Sequence, residues 1–215
     1  MGYKPVEDGF ELRNGIFYRF CQRAANQSDK DFFFIIDEIN RGNMSKIFGE
    51  LLMLIERDYR CTKATLAYNG LPFSVPKNLY IIGMMNTADR SLAMIDYALR
   101  RRFSFIDMEP GFDTDGFKAR AKAYNNPAFD ELIRVISGTD GLNAAIAGDP
   151  TLGNGFCIGH SYFVLGDNEP CSDELLRDIV NYDILPMLQE YWFDDAKKYQ
   201  EWADKLHKAV NDGIE

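Results

Sequence analysis

Residues 32–43, FFFIIDEINRGN, decide how this sequence is interpreted. Five apolar residues lead directly into two adjacent carboxylates, Asp37 and Glu38, and a polar turn containing glycine follows them. A continuous apolar run of this length is typical of a strand buried on both faces of a parallel sheet. Because neighbouring like charges cost free energy unless a metal or a reaction uses them, the pair marks a candidate functional site.

A second apolar run, LYIIGMM at residues 79–85, ends in Asn86 and predicts a neighbouring strand. Ligands of open α/β sheets bind at the carboxyl ends of the strands, so we expect Asn86 to meet Asp37 and Glu38 there. An apolar strand followed by Asp-Glu is the Walker B arrangement of phosphate-hydrolysing motors. Each signal alone also fits a cap or a turn, but the three residues together favour the functional interpretation.

Three consecutive arginines, Arg100, Arg101 and Arg102, end a predicted helix over residues 92–102 and precede an apolar run, residues 103–108, that predicts a third strand. Basic residues at a helix C-terminus can simply complement the helix dipole. Arginine is also well suited to contacting transferring phosphates, sometimes from a neighbouring subunit. The cluster is therefore a second candidate functional element.

The pattern changes after Glu109-Pro110-Gly111, and this predicts an α/β half over residues 1–110 followed by a mainly helical half over residues 111–215. In the first half, strands alternate with helices, which indicates a parallel sheet flanked by helices. Asn69-Gly70 predicts a hairpin turn, and Asn43 can cap a helix. The predicted helices cover residues 15–26, 44–55, 113–124, 127–137, 140–147, 172–192 and 195–210.

Composition excludes several classes of protein. The 215-residue chain has a formal net charge of −9, which disfavours non-specific DNA binding. Four scattered cysteines and two histidines provide no zinc-site or disulfide pattern, so a reducing cytoplasm is the expected location. The apolar runs are much shorter than the roughly 20 residues that span a bilayer, so no membrane contact is expected.

The sequences of five stretches, and their order along the chain, are specific enough to indicate a family. They are GIFYRFCQRA, FIIDEINRGNMSKIFGELLMLIE, LYIIGMMNTADRSLAMIDYALRRRFSFIDMEPGF, GFCIGHSYF and ILPMLQEYWFDD. Together they resemble the nucleotide-hydrolysing subunits of McrBC-type methylation-dependent restriction systems, which are AAA+ proteins. The resemblance implies an α/β fold class: a truncated AAA+ P-loop NTPase module followed by a helical lid.

The resemblance implies roles for several residues at the nucleotide site of their own subunit. Asp37 and Glu38 would be the Walker B pair, with Asp37 holding Mg²⁺ through water and Glu38 polarising the attacking water. Asn40 would lie beside that water. Asn86 would be sensor 1, and Asp89 would follow it in the MNTADRS motif. The substrate would be GTP or ATP, bound together with Mg²⁺.

Other residues would act between subunits or in the lid. Arg101 and Arg102 match the arginine fingers that reach the nucleotide of a neighbouring subunit, and Arg100 is close to them. His160 and Ser161 lie in the lid signature GHSYF, where a turn-and-packing role and nucleotide sensing both remain open. The implied partners are a homo-oligomeric ring, expected to be a hexamer, an McrC-like nuclease subunit, and DNA bound through another domain.

The sequence contains no G-x-x-x-x-G-K-[ST] stretch, the Walker A loop that cradles phosphates. The chain therefore resembles a C-terminal fragment, and we expect it to bind nucleotide weakly and to hydrolyse it negligibly by itself. Within a complete protein, the resemblance implies a GTP-driven motor that translocates DNA and licenses cleavage by the nuclease. Two alternatives stay open: an AAA+ ATPase of the remodelling or chaperone type, and a non-enzymatic interaction module.

Overall fold

The chain divides into two units, Met1–Ile106 and Asp107–Glu215. The computed structural model describes residues 2–6, 9–67, 69–88, 97–166 and 169–211. The division falls within a few residues of the boundary that the sequence predicts near residue 110. Within the described ranges, no helix is both long and apolar enough to cross a bilayer.

The first unit is organised around two parallel strands. Strand β3 (Phe32–Ile36) pairs with β6 (Leu79–Gly83) so that Phe32 lies opposite Leu79 and Ile36 opposite Gly83. The two apolar runs therefore form neighbouring parallel strands, as predicted. Two antiparallel hairpins accompany them, β1 with β2 and β4 with β5. The strand bounds are β1 Gly2–Val6, β2 Gly9–Arg13, β3 Phe32–Ile36, β4 Ala64–Thr65, β5 Pro72–Phe73 and β6 Leu79–Gly83.

The two faces of the β3–β6 pair differ in burial. Helix α1 (Ile16–Ala25) covers one face, where the rings of Phe17 and Phe20 lie 5.1 and 5.3 Å from that of Phe34. The side chains on the other face are exposed by 44–58%. These exposed residues, the apolar stripe, are Phe33, Ile35, Tyr80 and Ile82.

The helix predicted from Met44 starts as expected, because Asn43 Oδ1 accepts a hydrogen bond from Lys46 N at 2.9 Å. It ends sooner than its apolar periodicity predicts. Gly49 adopts a φ of 52°, which is outside the helical region, and α2 stops at Phe48. A 3₁₀ segment, Gly49–Ile55, then continues the chain and buries Leu52, Leu54 and Ile55, whereas Met53 is exposed.

The predicted third strand is wrong. In the described part of the chain, residues 103–108 form no strand, and the side chains of Ile106 and Met108 are 83% and 90% exposed. A strand requires a ladder partner, which local composition does not provide. The helix that precedes it, α3, covers Tyr97–Arg100, while residues 92–96 of the prediction lie outside the described residues.

The second unit is helical, as predicted, and has one core. Thr114, Asn126 and Ser172 each cap a helix with a side-chain oxygen. Phe129 and Phe163 are fully buried near the centre of the core. The helices are α4 Asp115–Tyr124, α5 Pro127–Ser137, α6 Leu142–Ala147, α7 Asp173–Asp178, α8 Leu185–Tyr191 and α9 Ala196–Asn211, with a π-helical segment, Ile179–Ile184, between α7 and α8.

A carboxylate ties three segments of this unit together. Asp149, just after α6, accepts hydrogen bonds from Trp192 Nε1 at 3.0 Å, Lys198 Nζ at 2.6 Å and Thr151 N at 2.8 Å. Its side chain is only 9% exposed. The hydrogen bonds from Lys198 and Thr151 hold the pKa of the Asp149 carboxyl well below its usual range. The ionised form is therefore bound more tightly in the folded state than in the unfolded state.

We expect Asp149→Asn to reduce the unfolding free energy of this unit by about 1–2 kcal/mol at pH 7, because a charge-assisted contact is lost. Since the folded-state pKa is depressed, this contribution is complete above the unfolded pKa of roughly 4 and declines as the pH falls further. Urea unfolding followed by tryptophan fluorescence measures it, because both tryptophans, Trp192 and Trp202, lie in this unit.

The exposed Asp194, changed to asparagine, serves as the matched control and should leave stability nearly unchanged. The wild-type protein should lose stability more steeply than Asp149→Asn between pH 4 and pH 2. Parallel curves for the two proteins would contradict the assigned role.

Candidate functional site

The two carboxylates lie at the carboxyl end of β3, where the backbone makes an unusual turn. Glu38 has a φ of 49° and a ψ of 48°, a left-handed conformation that costs a non-glycine residue about 1 kcal/mol. Its N–H donates to Asp37 Oδ1 at 2.9 Å. Glu38 Oε2 also lies 2.6 Å from Arg41 Nε. The like-charge cost that the sequence suggests is therefore offset within the chain, by a backbone donor and by an arginine.

This turn is joined to the segment that follows β6. Ile39 N donates to Met84 O at 2.9 Å, and Met84 N donates to Ile36 O at the same distance. Ile39 packs so closely that a Cβ atom on Gly83 would lie 2.7 Å from Ile39 Cδ1, which glycine avoids. The ends of the two strands are therefore held side by side.

Asn40 connects the turn to Asn86. Its Nδ2 donates a long hydrogen bond, 3.4 Å, to Asn86 O. Asn40 is 8% exposed, and its Oδ1 is buried without a hydrogen-bond donor among the described residues. Asn86 Oδ1 accepts from Ala88 N at 3.0 Å, which is a local turn contact, so Nδ2 is the Asn86 group that can donate to a ligand. Asp89 lies outside the described residues.

The residues at this edge fit a hydrated magnesium ion that is held mainly by a nucleotide. Within the described ranges, no three His, Cys, Asp or Glu side chains could hold a metal together. Mg²⁺ commonly binds one or two carboxylates, several waters and substrate phosphates. The exposed carboxylate of Asp37 suits that geometry, and the orphaned Asn40 Oδ1 is an acceptor that a bound water could satisfy.

The three arginines have different environments. The Arg100 guanidinium lies 5.7 Å from the centre of the Phe105 ring, and Arg101 is exposed to solvent. Arg102 forms an ion pair with Glu56, with Nε and Oε1 2.7 Å apart, and its side chain is only 9% exposed. The Arg101 side chain is therefore accessible from solvent, whereas the Arg102 side chain is paired within its own unit.

Sequence reasoning missed two arginines with structural contacts. Arg41 follows Glu38 by three positions, a spacing at which side chains of a helical turn meet, and this was an available signal. Arg60 donates to Ile55 O at 3.1 Å and to Leu79 O at 2.9 Å, and its burial lowers its pKa. No local pattern indicates the Arg60 contacts, because they join segments that are distant in sequence.

His160 is used in packing within the second unit. Its Nδ1 accepts a hydrogen bond from Gly111 N at 2.9 Å, so the neutral ring carries its proton on Nε2. The ring also lies about 6 Å from those of Phe112 and Phe117. These contacts favour the turn-and-packing interpretation of the GHSYF stretch, in which Ser161 is exposed.

Two family models match the chain. The AAA domain (dynein-related subfamily) matches residues 1–103, and the alpha-helical lid domain of McrB matches residues 134–200. Together with the parallel strands and the helical second unit, these matches define an AAA module that carries a helical lid. The family is equally clear: the chain belongs to the McrB family.

Two curated relatives support this assignment. The chain is 51% identical, over 216 aligned residues, to the Type IV methyl-directed restriction enzyme EcoKMcrB subunit of Escherichia coli K12. That match covers 95% of the chain and 46% of the relative. The Type II restriction enzyme BsuMI component YdiS of Bacillus subtilis is 31% identical over 121 residues, covering 50% of the chain and 35% of that protein. The chain thus spans less than half the length of either relative.

Proposed function

We propose that this chain forms the nucleotide-hydrolysing part of a AAA+ motor in a modification-dependent restriction system. The observation that carries the proposal is the joined strand edge, where Asn40 links the Asp37-Glu38 turn to Asn86. The names of both relatives, which are components of restriction enzymes, support the biological setting. GTP is the preferred substrate in this proposal, with ATP as the alternative.

Each residue at the edge has a proposed role. When bound with the nucleotide, Mg²⁺ supplies positive charge to the phosphoryl oxygens, and Asp37 holds its hydration shell. Glu38 accepts a hydrogen bond from the attacking water and orients it. Asn40 Oδ1 and Asn86 Nδ2 fix that water from two further directions, and Asp89 supports the same site. Catalysis here depends on positioning, because phosphoryl transfer requires little covalent chemistry from the protein.

The arginines and the partners complete the proposal. Arg101 reaches the nucleotide of a neighbouring subunit in a ring, expected to be a hexamer. Arg102, the other residue that the resemblance assigns as a finger, is paired with Glu56 in its own unit, so we give it the role of supporting Arg101. The second unit serves as the lid. A separate McrC-like nuclease subunit and DNA bound by another domain complete this cytoplasmic machine. Since the chain lacks G-x-x-x-x-G-K-[ST], we propose that it needs a P-loop unit for tight binding.

A chimaera tests this proposal. In the E. coli relative, the region that matches this chain is replaced by residues 1–215, and hydrolysis of GTP and ATP is measured with and without the nuclease subunit. The chimaera should hydrolyse GTP in preference to ATP, and the isolated chain should do neither. Glu38→Gln should lower turnover about 10²–10⁴-fold with nucleotide binding retained, because the group that orients the water is neutralised.

The matched control is Glu174→Gln, at an exposed position of the second unit, which should leave turnover unchanged. Full activity of Glu38→Gln would contradict the proposed site. A preference for ATP without stimulation by the nuclease would favour the remodelling ATPase instead. A chimaera that folds but hydrolyses neither nucleotide would favour a non-enzymatic interaction module.

A further inference from the structure

Glu38 is held by contacts to its backbone and by a contact to its carboxylate. The carboxylate contact has no role in the function proposed above. The backbone of Glu38 is fixed by the left-handed conformation and by the hydrogen bond from its N–H to Asp37. Its carboxylate is fixed by Arg41, whose Nε lies 2.6 Å from Oε2. Arg41 belongs to the same 3₁₀ turn, Ile39–Arg41, and its N–H donates to Glu38 O at 2.9 Å.

Stability alone does not account for this ion pair. The side chains of Arg41 and Glu38 are 58% and 45% exposed, and exposed pairs contribute little to folding. The turn is already anchored by Asn40, which is buried, and by Ile39, which packs against Gly83. The effect of Arg41 is therefore to restrict the orientation of one carboxylate on a turn that has other anchors.

Orientation matters because a carboxylate that acts on water uses one oxygen at a time. Arg41 engages Oε2, so Oε1 is the oxygen that can accept from a water at the strand edge. A guanidinium is planar and permanently charged, and it holds a carboxylate in a defined plane better than an ammonium does. Its charge also offsets the repulsion between Glu38 and Asp37.

We propose that Arg41 is a positioning residue that holds Glu38 in the orientation required to activate water. The inference rests on the proposed function, in which Glu38 acts on the attacking water. Arg41 itself touches neither the nucleotide nor the water in this proposal. It acts through the Glu38 carboxylate, and this separates it from Asp37 and Asn86.

The test compares Arg41→Gln and Arg41→Lys in the chimaera. Arg41→Gln should lower kcat about 10–100-fold with KM changed less than about twofold, because a small misplacement of a reacting group can cost that much. Arg41→Lys should recover part of the loss, since an ammonium can still bind Oε2. Circular dichroism melting of the isolated chain should be nearly unchanged by Arg41→Gln, which separates positioning from unfolding.

A double-mutant cycle makes the assignment specific. In the Glu38→Gln background, measured by single-turnover hydrolysis, Arg41→Gln should cause no further loss, because residues that act as a unit are not additive. An unchanged kcat for Arg41→Gln, a change confined to KM, or an equal loss in the Glu38→Gln background would overturn the role of Arg41 alone. A wild-type chimaera that binds nucleotide without turnover would overturn the proposed function, and the role of Arg41 with it.

Discussion

Arg101→Ala is expected to reduce turnover of the chimaera about 10³-fold or more while leaving nucleotide binding largely intact, the range reported for loss of an arginine finger. The reason is geometric. Arg101 directly follows α3 and its side chain is exposed, so its charge is available to a transition state on another subunit. Steady-state hydrolysis and fluorescent-nucleotide titration measure the two effects separately.

Two comparisons make this prediction sharp. Arg57→Ala removes another exposed arginine of the same unit and should leave turnover nearly unchanged. Arg102→Ala should instead lower the thermal stability of the isolated chain, because it leaves the half-buried Glu56 without its guanidinium partner. Loss of nucleotide binding in Arg101→Ala, with turnover per bound nucleotide preserved, would contradict a finger role.

Mixing subunits tests whether Arg101 acts in trans. Chimaeras carrying Arg101→Ala and Glu38→Gln should each be nearly inactive, since each lacks one half of every site. In a mixed ring, an Arg101→Ala subunit keeps its own Glu38 and can receive Arg101 from a Glu38→Gln neighbour. Partial recovery of hydrolysis on mixing is therefore expected, whereas two inactive proteins that stay inactive when mixed would place both residues in one subunit's site.

Phe129→Ala is expected to destabilise the second unit by about 4 kcal/mol, because it removes a large ring from a closely packed core. Phe129 is fully buried, and its ring centre lies 5.0 Å from that of Tyr124 and 6.4 Å from that of Phe163. The neighbouring helices cannot close such a cavity without losing other contacts. Urea unfolding followed by fluorescence of the two tryptophans in this unit gives the size of the effect.

Phe193 provides the matched control, since the same substitution there removes a ring that is 82% exposed. Phe193→Ala should change stability by less than about 0.5 kcal/mol. A loss below about 1 kcal/mol for Phe129→Ala would mean that the core around it is not a single closely packed cluster.

Local patterns predict most of the helices and both parallel strands, because apolar periodicity is a property of consecutive residues. Pairing is not local, and this explains why residues 103–108 were wrongly predicted as a strand. The break at Gly49 was missed for another reason: glycine permits a positive φ but does not impose it. Sequence therefore predicts elements better than it predicts their ends and partners.

The candidate site shows the same difference between local patterns, which sequence reveals, and long-range contacts, which it does not. Asp37, Glu38 and Asn86 could be grouped from sequence because parallel strands bring their carboxyl ends to one edge. The contrast between Arg101 and Arg102 could not be predicted, since it depends on Glu56, which lies far away in the sequence. The orphaned oxygen of Asn40 is likewise a property of packing and has no sequence signal.

The apolar stripe on β3 and β6 has a consequence for handling the chain in solution. Phe33 stacks on Tyr80 with ring centres 5.3 Å apart, so the apolar stripe is a continuous aromatic and aliphatic surface in contact with water. Such a surface binds dyes, detergents and chromatography resins, and it favours association of copies of the chain as concentration rises. The formal net charge of −9 opposes this attraction, and added salt weakens that opposition. Dilute, low-salt buffers are therefore the conditions in which the separate chain stays dispersed.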